Sequence, residues 1–223
     1  KVITIEDPIE YRLPGITQVQ VNEKIDLGFG RVLRSALRQD PDVILVGEIR
    51  DEDTAQIGLR AALTGHLVFS TLHTRDAASA AIRLIDMGAP SYMVASSLHA
   101  VVAQRLLRVV CESCKEEQPL EVHAQRWLEA HLGEGWAGRS FVHGRGCSHC
   151  NGSGYAGRTG VYEMIEMTPP LVRAAGMADP NAFAEAARPQ LEGKSLIARA
   201  LELALAGRST VSEVIRVATD VEG

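Results

Sequence analysis

No stretch of this 223-residue chain approaches the roughly 18 to 20 consecutive apolar residues of a membrane-spanning helix, and no basic, then apolar, then small-residue leader opens it. The expectation is therefore a soluble, cytoplasmic chain. Positive charge is also short: 23 Lys and Arg stand against 28 Asp and Glu, a net charge of -5, so no global basic field exists to hold a polyanion. Aromatic residues make up only 4% of the chain and are not interleaved with basic ones, so a base-stacking platform is missing as well and no nucleic-acid partner is expected. Cysteines number four, all in two Cys-x-x-Cys pairs with none left over, which in a chain without a leader points to metal rather than disulfides. What is abundant is apolar residue content, 46% over 223 positions, enough to bury the core of one large domain, or of a domain with an appended module.

Three short apolar runs each end in polar chemistry. In "KVITIEDPIE" the residues Val2, Ile3 and Ile5 lead to Glu6, Asp7 and Glu10. In "PDVILVGEIRD" a continuous run from Val43 to Val46, as in a strand buried on both faces, leads to Gly47, Glu48, Arg50 and Asp51. In "GHLVFSTLHT" the run Leu67 to Phe69 leads through Ser70 and Thr71 to His73. Between them lie segments of helical period: "GFGRVLRSALRQD", "DTAQIGLRAALTG" closing on Gly65, and "TRDAASAAIRLIDMG" with Thr74 as its cap and Gly88 as its stop. Strands alternating with helices imply a parallel sheet covered on both sides. In open sheets of that class ligands bind beyond the carboxyl ends of the strands, so Glu6, Glu10, Glu48 and His73 should converge on one crevice. An apolar strand ending in an acid is also what a Walker B element needs, because its carboxylate must reach a magnesium ion from a rigid support.

"ITIEDPIEY", "LRQDPDVILVGEIRDEDTA" and "TGHLVFSTLHTRDA" resemble, in order and spacing, the Asp box, Walker B box and His box of the secretion ATPases that drive type II secretion and type IV pilus assembly. The resemblance covers nearly the whole chain. It implies an α/β fold, a RecA-like P-loop ATPase core that works as a homo-hexamer on the cytoplasmic face of the inner membrane. It also implies ATP and Mg2+ as ligands and, as partners, a polytopic inner-membrane platform protein and other assembly components, with membrane association through those partners. The family's Walker A loop, Gly-x-x-x-x-Gly-Lys-Ser/Thr, precedes the Asp box, and this sequence starts after that point. "LEGKSLI" offers Gly193-Lys194-Ser195, but the position five before Gly193 is Arg188 and the triplet follows no strand, so it reads as a decoy. The chain is thus expected to be a carboxyl-terminal part that binds ATP weakly or not at all by itself.

The resemblance also distributes roles. Glu10 matches the Asp-box glutamate suited to orient or deprotonate the attacking water, while Glu6 and the Walker B acid Glu48 hold magnesium directly or through its waters, with Asp7 beside them. His73 matches the second His-box histidine, suited to sense the terminal phosphate; His66, at the opposite end of its strand, reads as a packing or capping residue. Arg31, Arg34 and Arg38 share one helix face opposite Phe29, Val32, Leu33, Ala36 and Leu37. Such a stripe is either a solvated face or a row of donors reaching a neighbour's phosphates, with Arg34, Arg38 and Arg50 the candidates.

"CESC" (Cys111, Cys114) and "CSHC" (Cys147, Cys150) have the spacing of two paired thiolate ligands, together a closed four-thiolate zinc site with no open position for chemistry. His143 and His149 read as bystanders, and Trp127 with Leu128 as part of a short helix in the insert. In the resembling family a tetracysteine element marks extension and secretion ATPases and is generally missing from retraction relatives. The expected organisation is an ATPase core over 1–105, a zinc module over 106–160 and a helical subdomain over 161–223. In that last segment one short strand at "GVYEMIEM" precedes helices stopped at Gly207 and capped at Ser209. The competing reading is a zinc-ribbon module that binds a partner and keeps only the shell of an ATPase.

Overall fold

Val2, Ile3 and Ile5 do form a strand, and it enters a sheet in which every pairing is parallel. In the computed structural model the described residues are 1–117, 119–136 and 138–222; Gln118, Ala137 and Gly223, which fall in the second and third segments named above, lie outside them. In chain order the elements are β1 (Val2–Glu6), β2 (Thr17–Gln20), α1 (Phe29–Ala36), β3 (Val43–Val46), α2 (Glu52–Leu63), β4 (Leu67–Ser70), α3 (Ser79–Asp86) and α4 (Ser91–Ser97). There follow β5 (Ala100–Val110), β6 (Lys115–Glu117), α5 (Val122–Leu132), β7 (Val142–Gly144), β8 (Tyr155–Glu166), α6 (Pro169–Gly176), α7 (Pro180–Leu191), α8 (Leu196–Leu205) and α9 (Val211–Glu222). Two compact units result: Lys1–Thr74 with Ala78–Val101 and Glu166–Ala187, and Arg75–Ala77 with Val102–Ile165 and Arg188–Gly223.

In the first unit the strand order is β2-β1-β3-β4, with Ile5 opposite Val46 and Val46 opposite Ser70. Ile3, Ile5, Ile44 and Val46 share one face and pack with Phe29, Val32, Leu33 and Ala36 of α1 and Ala61 of α2. Each fully buried aliphatic side chain contributes about 1.5 to 3 kcal/mol, which is what makes the short β1 and β3 viable. The continuous apolar run of β3 is not matched by cover on both sides among the described residues: on the opposite face Leu45, Leu67 and Phe69 stay 36%, 52% and 52% exposed. Helix α2 closes as the sequence reading has it, on Gly65 with φ +102°, while its cap is Asp51, read above only as a polar residue beyond the strand, which accepts from the Thr54 amide at 2.8 Å. Helix α3 differs at its start. It begins at Ser79 with Ala78 before it, not at a Thr74 cap, because the Ala77 amide is bound elsewhere, to the Glu163 carboxylate.

In the second unit β5 pairs with β8, and the chain there is more strand-rich than "GVYEMIEM" suggests: β8 starts at Tyr155 and runs 12 residues, its alternation interrupted in the sequence by Gly157 and Gly160. Helices α8 and α9 pack together, burying Leu196, Leu201, Val214 and Val217. Ser195 of the decoy triplet caps α8 by accepting from the Ala198 amide at 3.3 Å. The cap of α9 is Thr210, whose hydroxyl accepts from the Glu213 amide at 3.2 Å; Ser209 instead donates to the Arg108 carbonyl at 2.8 Å. Glu213 is only 1% exposed and accepts from the Arg108 amide, from the Arg108 guanidinium and from Arg216. Burial alone would raise its pKa, but the hydrogen bonds from Arg216 and Arg108 win and bring it down to about 2.

Candidate functional site

The parallel register sends the ends of β1, β3 and β4 out on the same side of the sheet. Three hydrogen bonds then lace the exit loops together: Gly47 N–H to the Ile5 carbonyl at 2.7 Å, Ile49 N–H to the Thr71 carbonyl at 3.0 Å, and Thr71 Oγ1 to the Gly47 carbonyl at 2.6 Å. Gly47 is a close crossing, since a Cβ there would lie 3.0 Å from the Ile5 oxygen. Glu48 follows on this pinned stretch. Its side chain is 16% exposed and accepts from Arg50 at 2.6 Å, while His73 Nε2 lies 3.3 Å from its other oxygen. The Arg50 hydrogen bond holds the Glu48 carboxyl below the usual range even though burial opposes it, and Glu48 in turn raises the Arg50 pKa. Asp7 stands 3.9 Å from the same guanidinium.

The structure thus brings Asp7, Glu48, Arg50 and His73 together. Glu6 leans the other way, toward β2: it accepts from Thr4 Oγ1 and from Gln18 Nε2, the latter at 3.0 Å. Glu10 is exposed on the loop between β1 and β2, and among the described residues no contact joins it to Glu48. Arg34 pairs with Asp53 and Arg31 with Asp26, whereas Arg38 is exposed and has no ion pair among the described residues. His66 accepts the capping role, with Nδ1 3.0 Å from the Ala61 carbonyl and 3.2 Å from Thr64 Oγ1.

Beside this cluster a cavity of about 130 Å³ is lined by Ile49, Arg50, Leu72, His73, Arg83 and Met87. Two arginines and a histidine beside Ile49, Leu72 and Met87 suit an anionic ligand with an apolar part, although Arg50 is already paired with Glu48. Arg83 and Thr71 were missed by the sequence reading. The available signal for Arg83 was its place on the helix that directly follows the His box.

A second cluster lies within the second unit. The Sγ atoms of Cys111, Cys114, Cys147 and Cys150 all lie within 4.8 Å of one another, with separations of 3.9 Å (Cys111 to Cys147) and 3.8 Å (Cys114 to Cys150 and Cys147 to Cys150). These are too long for a disulfide, and a tetrahedron of thiolates about 2.3 Å from a zinc ion has edges of about 3.8 Å, so the donor set fits that metal. Amides aim at the sulfurs: Gly146 N–H at Cys114, and Cys147 and Gly154 N–H at Cys150. The Cys147 amide leads in pulling the Cys150 thiol down to about 6, while burial pushes Cys114 up to about 12. The two knuckles close because Gly144 and Gly154 cross at backbone distance; a Cβ on Gly144 would sit 2.0 Å from the Gly154 oxygen. His143 turns its Nε2 to Glu116 at 3.3 Å, and neither it nor His149 joins the thiol cluster.

The profile of the Type II/IV secretion system protein family matches residues 1–216. The chain belongs to that family. A putative type II secretion system protein E of Escherichia coli K12 is 45% identical over 220 residues, covering 98% of this chain and 43% of the relative. Type II secretion system protein E of Dickeya dadantii is 47% identical over 218 residues, 97% of this chain and 42% of the relative. The type IV pilus assembly ATPase PilB of Pseudomonas aeruginosa is 43% identical over 221 residues, 98% of this chain and 38% of the relative. Among solved structures, the pilus retraction motor PilT with bound ADP superposes with a TM-score of 0.67 at 26% identity, over 97% of this chain and 52% of that one. The RecA-like secretion-ATPase fold is thereby shown, and the chain spans less than half the length of these curated relatives. Among the described residues no helix of this family member is long and apolar enough to cross a membrane.

Proposed function

We propose that the complete protein is a cytoplasmic ATPase that powers type II secretion or type IV pilus extension as a homo-hexamer, docked on an inner-membrane platform protein. The observation that carries this reading is Glu48, an acid fixed at the end of an inner parallel strand and bracketed by Arg50 and His73. One relative is named as an ATPase and one structural neighbour was solved with ADP, which supports the same substrate here. Glu48 would hold Mg2+, which offsets phosphate charge when bound, and Glu6 would have to leave Thr4 and Gln18 to join it. His73, 90% exposed at its side chain, is free to swing from Glu48 to a terminal phosphate and so to sense its loss. Arg50 and Arg34 would have to leave Glu48 and Asp53 to donate to phosphates, whereas Arg38, with no ion pair among the described residues, is the readiest donor across a subunit interface. Glu10 would orient the attacking water once its loop closes, with Asp7 steadying Arg50.

A second reading has its own observation. The tetracysteine cluster belongs to a different compact unit from the strand-end site, so a zinc-bound partner module is separable from catalysis. ATP turnover by the purified complete protein distinguishes the two. The ATPase reading expects turnover that Glu48→Gln lowers by about two orders of magnitude or more, and no turnover from the 223-residue chain alone. Absent turnover in the complete wild-type protein sinks it.

A further inference from the structure

In "CNGSGY" an asparagine and a glycine follow directly on the last cysteine of the thiol cluster. Of the three asparagines in the chain, Asn22, Asn151 and Asn181, only Asn151 precedes a glycine. That pair is open to hydrolysis, because a glycine has no side chain to shield its backbone nitrogen from the carbonyl carbon of the asparagine side chain before it. Asn151 is exposed, and its side-chain amide makes no hydrogen bond among the described residues.

The folded backbone nevertheless holds the pair in an unreactive geometry. Asn151 sits in the left-handed region at φ 50° and ψ 41°, which asparagine tolerates better than most residues. Closing a ring onto its side chain needs the Gly152 nitrogen on the same side of the Asn151 Cα–C bond as Cβ, and at ψ 41° it is turned close to the opposite side. The Gly152 N–H is also occupied, donating to the Cys147 carbonyl at 2.9 Å. The ties around it end on residues of the second Cys-x-x-Cys pair: Asn151 N–H on the Ser148 carbonyl at 3.4 Å, Ser153 N–H on the Cys150 carbonyl at 3.0 Å and Gly154 N–H on Cys150 Sγ at 3.2 Å. That pair meets the first one through sulfur separations of 3.8 and 3.9 Å, a spacing that a shared ion holds and that four thiols have no bond to keep. All of these residues belong to one compact unit.

We propose that Asn151-Gly152 is a hydrolytic modification site gated by the metal: closed while the four thiolates share a zinc ion, open once the ion leaves, and after reaction a lock against its return. In the opened loop the Gly152 nitrogen gives up its proton to hydroxide and attacks the side-chain carbonyl carbon of Asn151. The bond to the side-chain nitrogen breaks, ammonia leaves with a proton from water, and a cyclic imide remains. Water then opens the ring at either carbonyl, leaving aspartate or, with the main chain rerouted through Cβ, isoaspartate; one water enters for one ammonia lost, and no oxidant is needed. Isoaspartate lengthens the main chain by a methylene, so the Gly152 and Gly154 amides can no longer both reach Cys147 and Cys150. Either product also sets a carboxylate beside the Cys150 thiolate. The proposal rests on the zinc reading of the cluster and is independent of the ATPase reading.

The test uses the complete protein with its zinc content measured first. Samples are held with reductant at mildly alkaline pH and physiological temperature, with or without a chelator, and the peptide carrying Asn151 is followed by mass spectrometry, with isoaspartate scored by a methyltransferase that labels it. Asn151 converts about tenfold faster or more in chelator, while Asn22 and Asn181 change by less than about twofold. Cys111→Ser, short of a ligand, converts without chelator as fast as chelated wild type, which separates loss of the ion from any other action of the chelator. Zinc is then restored. Wild type regains it in proportion to its unconverted Asn151, whereas Asn151→Gly, which keeps the left-handed position at no steric cost and has no side-chain amide to lose, regains its full content. Equal conversion with and without chelator overturns the gate, as does a Cys111→Ser rate equal to that of zinc-loaded wild type, and full zinc recovery by converted wild type overturns the lock. A complete protein that takes up no zinc when supplied with it sinks the zinc reading and the proposal together.

Discussion

Replacing Glu213 by glutamine should cost stability at neutral pH and cost almost nothing in acid. The carboxylate is 1% exposed between Arg108 and Arg216, at 2.8 and 2.9 Å, and its pKa falls from an ordinary 4.5 to about 2. A displacement of about 2.5 units corresponds to about 3.4 kcal/mol at 1.36 kcal/mol per unit. The two guanidiniums are 49% and 44% exposed, so solvent screening trims this to about 2 to 3 kcal/mol. The folded pKa is depressed, so the contribution is fully present above pH 4.5 and drains away as pH falls from 4.5 toward 2. Both tryptophans, Trp127 and Trp136, lie in the second unit with Glu213, so their fluorescence during urea unfolding reports that unit. Comparing wild type with Glu213→Gln at each pH cancels other titrations and any loss of metal common to both. The expected gap is about 2 to 3 kcal/mol at pH 7, closing to within error near pH 2. A gap that is constant across the range, or missing at pH 7, refutes the ion-pair reasoning.

The remaining expectations concern the two sites. Protein purified without chelator should carry one zinc per chain by elemental analysis; Cys111→Ser should lose it and make the 106–160 region protease-sensitive while far-ultraviolet helicity largely persists. Gly144→Ala should do the same without touching a ligand, because its Cβ would collide with the Gly154 carbonyl; normal zinc content in that variant would contradict the crossing geometry. In the complete protein Glu10→Gln should slow turnover by about two to four orders of magnitude with nucleotide still bound, and a wild-type rate would move the water-orienting role to Glu6 or Glu48.

Much of this was legible because it is local. The β-branched runs, the glycine stops at Gly65 and Gly207 and the two Cys-x-x-Cys knuckles are all written within a few residues of where they act. What was not legible depends on remote partners. Thr74 looked like a cap because it precedes a helical period, yet the Ala77 amide is taken by a glutamate 86 residues away. Ser209 and Thr210 are equivalent by composition, and only the position of the Arg108 carbonyl decides which one caps α9. Strand β5 escaped notice because Gln104, Arg105 and Arg108 break its apolar character, and the partners of the two arginines, the Arg75 carbonyl and Glu213, are remote in sequence. At the candidate site the convergence of Glu48 with His73 follows from strand order, but the turn of Glu6 toward Gln18 depends on β2, whose pattern "TQVQ" is too short and polar to announce a strand.

The uncovered face bearing Leu45, Leu67 and Phe69 has a bearing on how the chain behaves in a test tube. Strand β4 closes the sheet order with a neighbour on one side only, so a row of main-chain donors and acceptors runs beside two half-exposed large apolar side chains. Handled alone, the chain is adhesive along that border: light scattering should climb with protein concentration and with added salt, as the mutual repulsion of its net charge of -5 is screened. Dilute, low-salt buffer well above the isoelectric point of about 5.8 is accordingly the condition in which its solution properties reflect single molecules.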